Sequence, residues 1–111
     1  MRAETPESYG STRPYSLPRA LGDLVGPTSG RVVLPRRIYW GPPRDFDLDV
    51  PAQRRSYYAY VLNEAATVVD LEQLLDERLL METWAELWLP ERLRELWETA
   101  FPVLARRRAT L

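Results

Sequence analysis

The chain has 111 residues, 45% of them hydrophobic and 28% charged, with a formal net charge of −1. This length suits one small domain. Histidine and cysteine are both absent, which excludes a histidine general base, a thiolate nucleophile, an ordinary zinc or iron–sulfur site and a disulfide framework. We expect no cofactor. No apolar run approaches the roughly 18 residues of a membrane span, and the N-terminal residues 1–6 contain no apolar stretch that resembles a signal peptide. We therefore expect a cytoplasmic protein that does not bind membranes.

The composition changes near residue 50. Residues 1–51 hold eight of the ten prolines and all five glycines, whereas residues 53–105 carry 5 arginines and 10 acidic residues, a balance of −5. We therefore predict a disordered tail over 1–16 and a single small domain over 17–105, followed by a basic tail over 106–111. Within the domain, 17–50 would be an extended arm and 51–105 a helical body.

The arm contains two short β-prone runs, at 31–34 and 37–40, divided by Pro35 and Arg36. Proline keeps such runs at a sheet edge or outside a sheet. At most one short hairpin is expected.

Helical periodicity begins at Asp49. Asp47 or Asp49 could cap the first helix, with Pro51 in its first turn, and Thr67 or Asp70 could cap the next. The apolar stripe of that next helix continues through Trp84, Leu87 and Trp88, which predicts that these side chains point into the core.

Pro90 opens a further predicted helix. Its periodicity places Leu93, Leu96, Trp97 and Ala100 inward and Glu91, Arg94 and Glu98 outward. Pro102 would either kink this helix or start a short final one. The predicted fold is mainly α: a small bundle of three to four short helices, preceded by an extended Pro/Gly-rich arm with at most one short β-hairpin.

Two clusters of arginine and aromatic residues are candidates for partner binding, because Tyr, Trp and Arg are enriched at interfaces. They are Arg36, Arg37, Tyr39 and Trp40 in the arm, and Arg54 and Arg55 at the start of the body. Core packing remains an alternative for Tyr39 and Trp40. About 60 residues of helical body are near the lower limit for independent stability, so a partner protein or a second copy of the chain is expected along the arm.

Asp45, Asp47 and Asp49 alternate in the sequence, as do the carboxylates that hold Mg²⁺ in nucleotidyltransferases. The upstream Gly-Ser pair of those enzymes is reversed here, as Ser29-Gly30, and no strand for a third carboxylate is evident. Helix capping by these acids is the alternative.

Several strings together carry a resemblance to a known family: 21–30, Leu34-Pro35, Tyr39-Trp40, 46–48, Arg54-Arg55, Tyr58, 61–64 and 87–90. Over about residues 17–105 the chain resembles short actinobacterial proteins encoded beside AbiEii-type (MenT-like) nucleotidyltransferase toxins. The resemblance implies a cognate antitoxin or accessory partner, not an enzyme, that neutralises such a toxin by direct protein–protein contact. It implies no binding residues.

Two other functions stay open. A DNA-binding regulator could use a helix-turn-helix within 66–90 and the basic clusters, although Glu82 and Glu86 would then face DNA. A minimal Mg²⁺-dependent nucleotidyltransferase would use Asp45 and Asp47.

Overall fold

A computed structural model describes residues 15–39, 41 and 45–109. Within these residues the fold is mainly helical with one two-stranded antiparallel hairpin, which confirms the predicted class. The elements are β1 (Arg31–Val33), β2 (Asp45–Asp47), α1 (Pro51–Glu64), α2 (Val68–Leu74), α3 (Glu77–Thr83), α4 (Glu91–Ala100) and α5 (Pro102–Ala109), with 3₁₀ turns at Leu21–Asp23 and Trp84–Glu86. The described chain thus has five α-helices instead of three to four. Pro102 starts a separate helix, one of the two predicted alternatives.

The hairpin joins β1 to β2 with Val32 opposite Phe46. The β-prone run at 37–40 lies outside the sheet in its described residues, one of the two outcomes expected beside proline, but it is not extended throughout. Residues 36–38 form a turn, in which the Ile38 and Tyr39 amides both donate to the Pro35 carbonyl, at 2.9 and 3.1 Å. This turn follows a proline, which favours turn geometry over a strand.

The start of α1 differs from the prediction, because Val50 occupies the N-cap position without a side-chain cap. The aspartates instead hold the hairpin together. Asp47 Oδ1 accepts from the Asp49 amide at 2.9 Å, and Asp49 Oδ2 accepts from the Gly30 amide at 3.3 Å. Gly30 has φ +78°, a conformation that glycine adopts without strain.

A break between α2 and α3 accounts for the extra helix. Thr67 caps α2 as predicted, accepting from the Asp70 amide at 3.2 Å, whereas Asp70 lies inside α2 and is not a cap. Leu75 is extended, and Asp76 caps α3 by accepting from the Leu79 amide at 3.2 Å. Both helices are seven residues long.

Residues of the arm fix this break from outside. The Val25 amide donates to the Glu72 carbonyl at 2.8 Å, and the Gly26 amide donates to the Leu75 carbonyl at 2.7 Å. These carbonyls lie at the C-terminal end of α2, where helical partners run out. A Cβ on Gly26 would lie 2.6 Å from the Leu74 carbonyl carbon, so glycine is required for the close approach.

One core joins the arm to the helices. Its arm members are buried beside those of the body: Leu21, Leu24, Leu34, Ile38, Phe46 and Leu48 pack with Tyr57, Tyr58, Val61, Leu71, Leu80, Trp84, Leu93, Trp97 and Leu104, among others. Of the predicted tail, 1–14 lie outside the described residues. Tyr15 packs against the core, with the Arg92 guanidinium 5.4 Å from its ring centroid.

Candidate interaction surface

Arg36 and Arg37 of the predicted arm cluster lie on the turn that follows β1. Arg36 is exposed there. Arg37 donates through Nη2 to Oδ1 of Asp70 and, at 3.5 Å, through Nε to Oδ2. Asp70 is buried while Arg37 remains largely exposed, and this hydrogen-bonded pair raises the pKa of the Arg37 guanidinium. Arg37 therefore serves the fold by neutralising a buried carboxylate.

Tyr39 belongs to an aromatic cluster that spans the hairpin and α1. Its ring stacks on Tyr60 with centroids 4.3 Å apart and meets Phe46 edge-on at 5.7 Å. Tyr39 is half-buried and Tyr60 is partly exposed at the edge of the cluster. Trp40, the other aromatic candidate, lies outside the described residues.

The two arginines of α1 make separate contacts. Arg54 Nη1 donates to the Leu48 carbonyl at 3.0 Å, which ties α1 to the end of β2. Arg55 Nη1 lies 3.4 Å from Glu86 Oε1, an ion pair that links α1 to the Trp84–Glu86 turn. Arg54 and Arg55 therefore contact different parts of the fold.

The alternating aspartates are engaged within the hairpin. Asp45 pairs with Arg31 at 2.9 Å, on exposed strands, and Asp47 and Asp49 accept backbone amides as described above. Among the described residues, no group of three or more acidic, His or Cys side chains is arranged to hold a metal ion.

Trp88 is the feature that the sequence reading missed. Periodicity placed it in the core, but its side chain is 91% exposed. The helical repeat stops at Glu86, and the chain is extended from Leu87 to Pro90. In an extended segment alternate side chains point to opposite sides, so Leu87 and Leu89 turn inward while Trp88 faces solvent.

Arg94 holds this extended segment, and its position also corrects a prediction. Placed outward by periodicity, it is only 6% exposed. Its Nη1 donates to the Trp84 carbonyl at 3.3 Å and its Nη2 to the Leu87 carbonyl, and its guanidinium lies 5.0 Å from the Trp84 ring. Burial, together with the charge of Arg108, lowers the pKa of Arg94.

Glu98, also predicted outward, completes this network. Its side chain is 12% exposed, lies 3.8 Å from Arg94 and 3.3 Å from Arg108, and accepts from Trp84 Nε1 at 2.8 Å. Two predicted inward positions of α4 are less buried than expected, since Leu96 is half-buried and Ala100 is exposed. The inward face of α4 is thus rotated toward Arg94 and Glu98.

Acidic residues surround Trp88 in the sequence. Between Glu64 and Glu91 there are 8 acidic residues and one arginine, Arg78, a balance of −7. Glu86 and Glu91, which flank the extended segment, are both exposed. We call the exposed indole of Trp88 with these two glutamates the Trp88 surface.

The basic residues of the predicted tail fall in α5. Arg106, Arg107 and Arg108 are all exposed in its last turns. Arg107 Nε donates to the Met81 carbonyl at 3.3 Å, so α5 is tied to α3. A helix-turn-helix formed by α2 and α3 would present Arg78 and Glu82, both exposed, on its second helix.

No protein-family model matches this chain, and no match was found among curated proteins or solved structures. The family resemblance stays a prediction. Within the described part of the chain, every helix is too short or too polar to cross a membrane.

Proposed function

We propose that this protein acts by binding another protein, as an antitoxin or accessory partner that neutralises a nucleotidyltransferase toxin by direct contact. The observation that carries the proposal is the exposure of Trp88. Tryptophan is among the residue types most enriched at the energetic centres of protein interfaces.

The setting of Trp88 supports a binding role over incidental exposure. Leu87 is buried and its carbonyl accepts from Arg94, so the backbone that carries Trp88 is held in place. A rigid aromatic loses little conformational entropy on binding. Trp88 is therefore presented to a partner from an anchored backbone.

Charge indicates the kind of partner. The Trp88 surface is an exposed indole flanked by the exposed Glu86 and Glu91, and it suits a basic protein surface that has an apolar pocket at its centre. Enzymes that bind nucleotides and RNA need positive charge to hold phosphates. The family resemblance agrees with such a partner.

Co-expression with the product of a neighbouring nucleotidyltransferase gene tests the proposal. The toxin should co-purify with this protein and lose its toxicity. Trp88→Ala should weaken the complex at least about 30-fold, which corresponds to roughly 2 kcal/mol. Val33→Ala, which shortens another exposed apolar side chain, is the matched control and should leave affinity unchanged. Equal toxicity with and without this protein, together with no co-purification, would contradict the proposal.

The arm candidates form a second, independent part of this test. Arg36→Ala removes an exposed guanidinium that lies on the turn after β1. If the partner also contacts the arm, Arg36→Ala should reduce affinity while leaving the thermal stability of the free protein unchanged. Arg37→Ala would instead destabilise the protein, because it strands the buried Asp70.

A further inference from the structure

An open groove of about 530 Å³ lies between the arm and the start of α5. Its apolar floor comes from Leu21, Phe101, Pro102 and Val103, and its rim carries Arg19 and Arg106. This volume is within the roughly 300–1,000 Å³ of pockets that bind small molecules.

The groove and the Trp88 surface are complementary in polarity and charge. One offers an apolar floor with two exposed arginines, and the other offers an exposed indole with two exposed glutamates. Trp88 does not line the groove. The indole does not contact the groove of its own chain and is 91% exposed. It is therefore accessible to the groove of a second molecule.

We propose that Trp88 of one copy inserts into the groove of a second copy, with Glu86 and Glu91 facing Arg19 and Arg106. The contact is head-to-tail, because it joins two different surfaces of the same chain. Each added copy then leaves one Trp88 surface and one groove free.

The charges favour this arrangement over a symmetric one. A symmetric pairing of two Trp88 surfaces would bring the glutamates of one copy to those of the other, whereas the head-to-tail contact places Glu86 and Glu91 beside Arg19 and Arg106. Like charges across an interface oppose association and opposite charges support it. The contact therefore weakens as salt rises.

The inference stands apart from the proposed function, because it concerns the isolated protein. It adds a consequence for that function: a partner protein and a second copy would compete for the same indole. Self-association would then hold the Trp88 surface covered until a tighter partner displaces the second copy.

Sedimentation velocity on the isolated protein tests the proposal over a range from micromolar to millimolar concentration. We expect the weight-average sedimentation coefficient to rise with concentration and to fall at high salt. A protein that remains monomeric throughout this range overturns the proposal, without bearing on partner binding.

Two variants that each lack one half of the contact make the test specific. Trp88→Ala keeps the groove and removes the indole, whereas Arg19→Glu combined with Arg106→Glu keeps the indole and reverses the charge of the groove. All three residues are exposed, so both variants should fold, which circular dichroism melting would verify. Each variant alone should associate at least about 30-fold more weakly than the wild type.

An equimolar mixture of the two variants gives the decisive result. The Trp88→Ala copy supplies an intact groove and the charge-reversed copy supplies an intact indole, so the mixture should form a 1:1 heterodimer and stop there. If the mixture stays monomeric while the wild type associates, or if either variant alone associates as well as the wild type, the head-to-tail contact is wrong.

Matched controls separate this contact from general effects of charge and apolar area. Arg36→Glu combined with Arg78→Glu changes the net charge equally at exposed positions outside the groove, and Val33→Ala shortens an exposed apolar side chain elsewhere. Both controls should associate like the wild type. A loss of association in either would overturn the assignment to Trp88 and the groove.

Discussion

Trp84 and Trp88 are four residues apart, yet the first is fully buried and the second is 91% exposed. Trp84 begins a 3₁₀ turn that continues α3, and its ring packs against Trp97 with centroids 6.3 Å apart. Trp88 lies in the extended segment before α4. The two residues have the same chemistry and opposite environments, so the backbone between them decides which indole serves the fold and which is free to bind.

Arg94 marks the boundary between these two environments. It donates to the carbonyl of Trp84 on one side and to that of Leu87 on the other. The first bond closes the end of the helical stretch and the second fixes the start of the extended one. A single buried guanidinium therefore supports both the core position of Trp84 and the outward position of Trp88.

The largest expected effect comes from the buried member of the pair. Trp84→Ala removes a fully buried indole, its hydrogen bond to Glu98 and its contact with Arg94, and should destabilise the protein by roughly 3–5 kcal/mol. Chemical denaturation followed by far-ultraviolet circular dichroism measures this. A loss below that of an ordinary surface substitution would mean that Trp84 is not part of the core.

Arg94→Met comes next in size. It removes the group that joins the two segments and leaves the Trp84 and Leu87 carbonyls without their donor and Glu98 without a buried cation. We expect a loss of about 3 kcal/mol. Arg94→Lys retains the charge but cannot bridge two carbonyls with a planar fork, so it should recover only part of this loss. Full recovery by lysine would show that charge alone matters at this position.

The helical pattern could not separate these residues from sequence alone. Leu80, Trp84, Leu87 and Trp88 fit one helical face, and Pro90 was the nearest recognised helix breaker. The helical stretch formed by α3 and its 3₁₀ turn ends at Glu86, four residues before Pro90. Beyond it, Leu87 and Leu89 fill core positions with a period of two. The end of the helical stretch depends on the hydrogen bonds from Arg94 to the Trp84 and Leu87 carbonyls. Periodicity placed Arg94 outward, and no local sequence pattern contains this tertiary contact.

Other parts of the fold were predictable for local reasons. The first-turn position of Pro51, the cap at Thr67 and the separate helix after Pro102 follow from backbone chemistry within a few residues. The break after α2 was missed because Val25 and Gly26 fix it from about 50 residues away. Among the candidate binding residues, Arg37 forms an ion pair with the buried Asp70. No local sequence pattern indicates this pair, because the two residues are 33 positions apart.

Alkaline pH should lower the free energy of unfolding through buried aromatic groups, whereas the exposed Trp88 has no group that titrates. Tyr57 and Tyr58 are fully buried, and burial raises the pKa of both phenols above the ordinary value of about 10. Above that pH the unfolded state loses phenol protons that the folded state keeps, so stability falls as pH rises. Each phenol should contribute up to about 1.4 kcal/mol per pH unit.

Denaturant titrations between neutral pH and pH 11 measure this slope. Tyr57→Phe removes one titrating phenol and should make the slope shallower, even though it costs some stability at neutral pH by stranding the Leu74 carbonyl. Tyr60→Phe is the matched control at the partly exposed edge of α1 and should leave most of the slope in place. Equal slopes for Tyr57→Phe and the wild type would contradict the assignment.

The smallest effect on stability should come from Trp88. Trp88→Phe changes an exposed side chain, so the free energy of unfolding should stay within about 0.5 kcal/mol of the wild type.

The fluorescence of Trp88 in the wild-type protein should report its acidic surroundings. Each quenching constant is first divided by that of N-acetyltryptophanamide, because iodide and caesium quench free indole with different efficiencies. Because Glu86 and Glu91 flank Trp88, this ratio should be larger for caesium than for iodide, and the difference should shrink as salt is added. The signal of Trp88 is isolated by subtracting the Trp88→Phe spectrum, measured at a protein concentration low enough to keep the chain monomeric. A larger ratio for iodide than for caesium would place Trp88 in a basic environment, and the charge complementarity assigned to its surface would then be wrong.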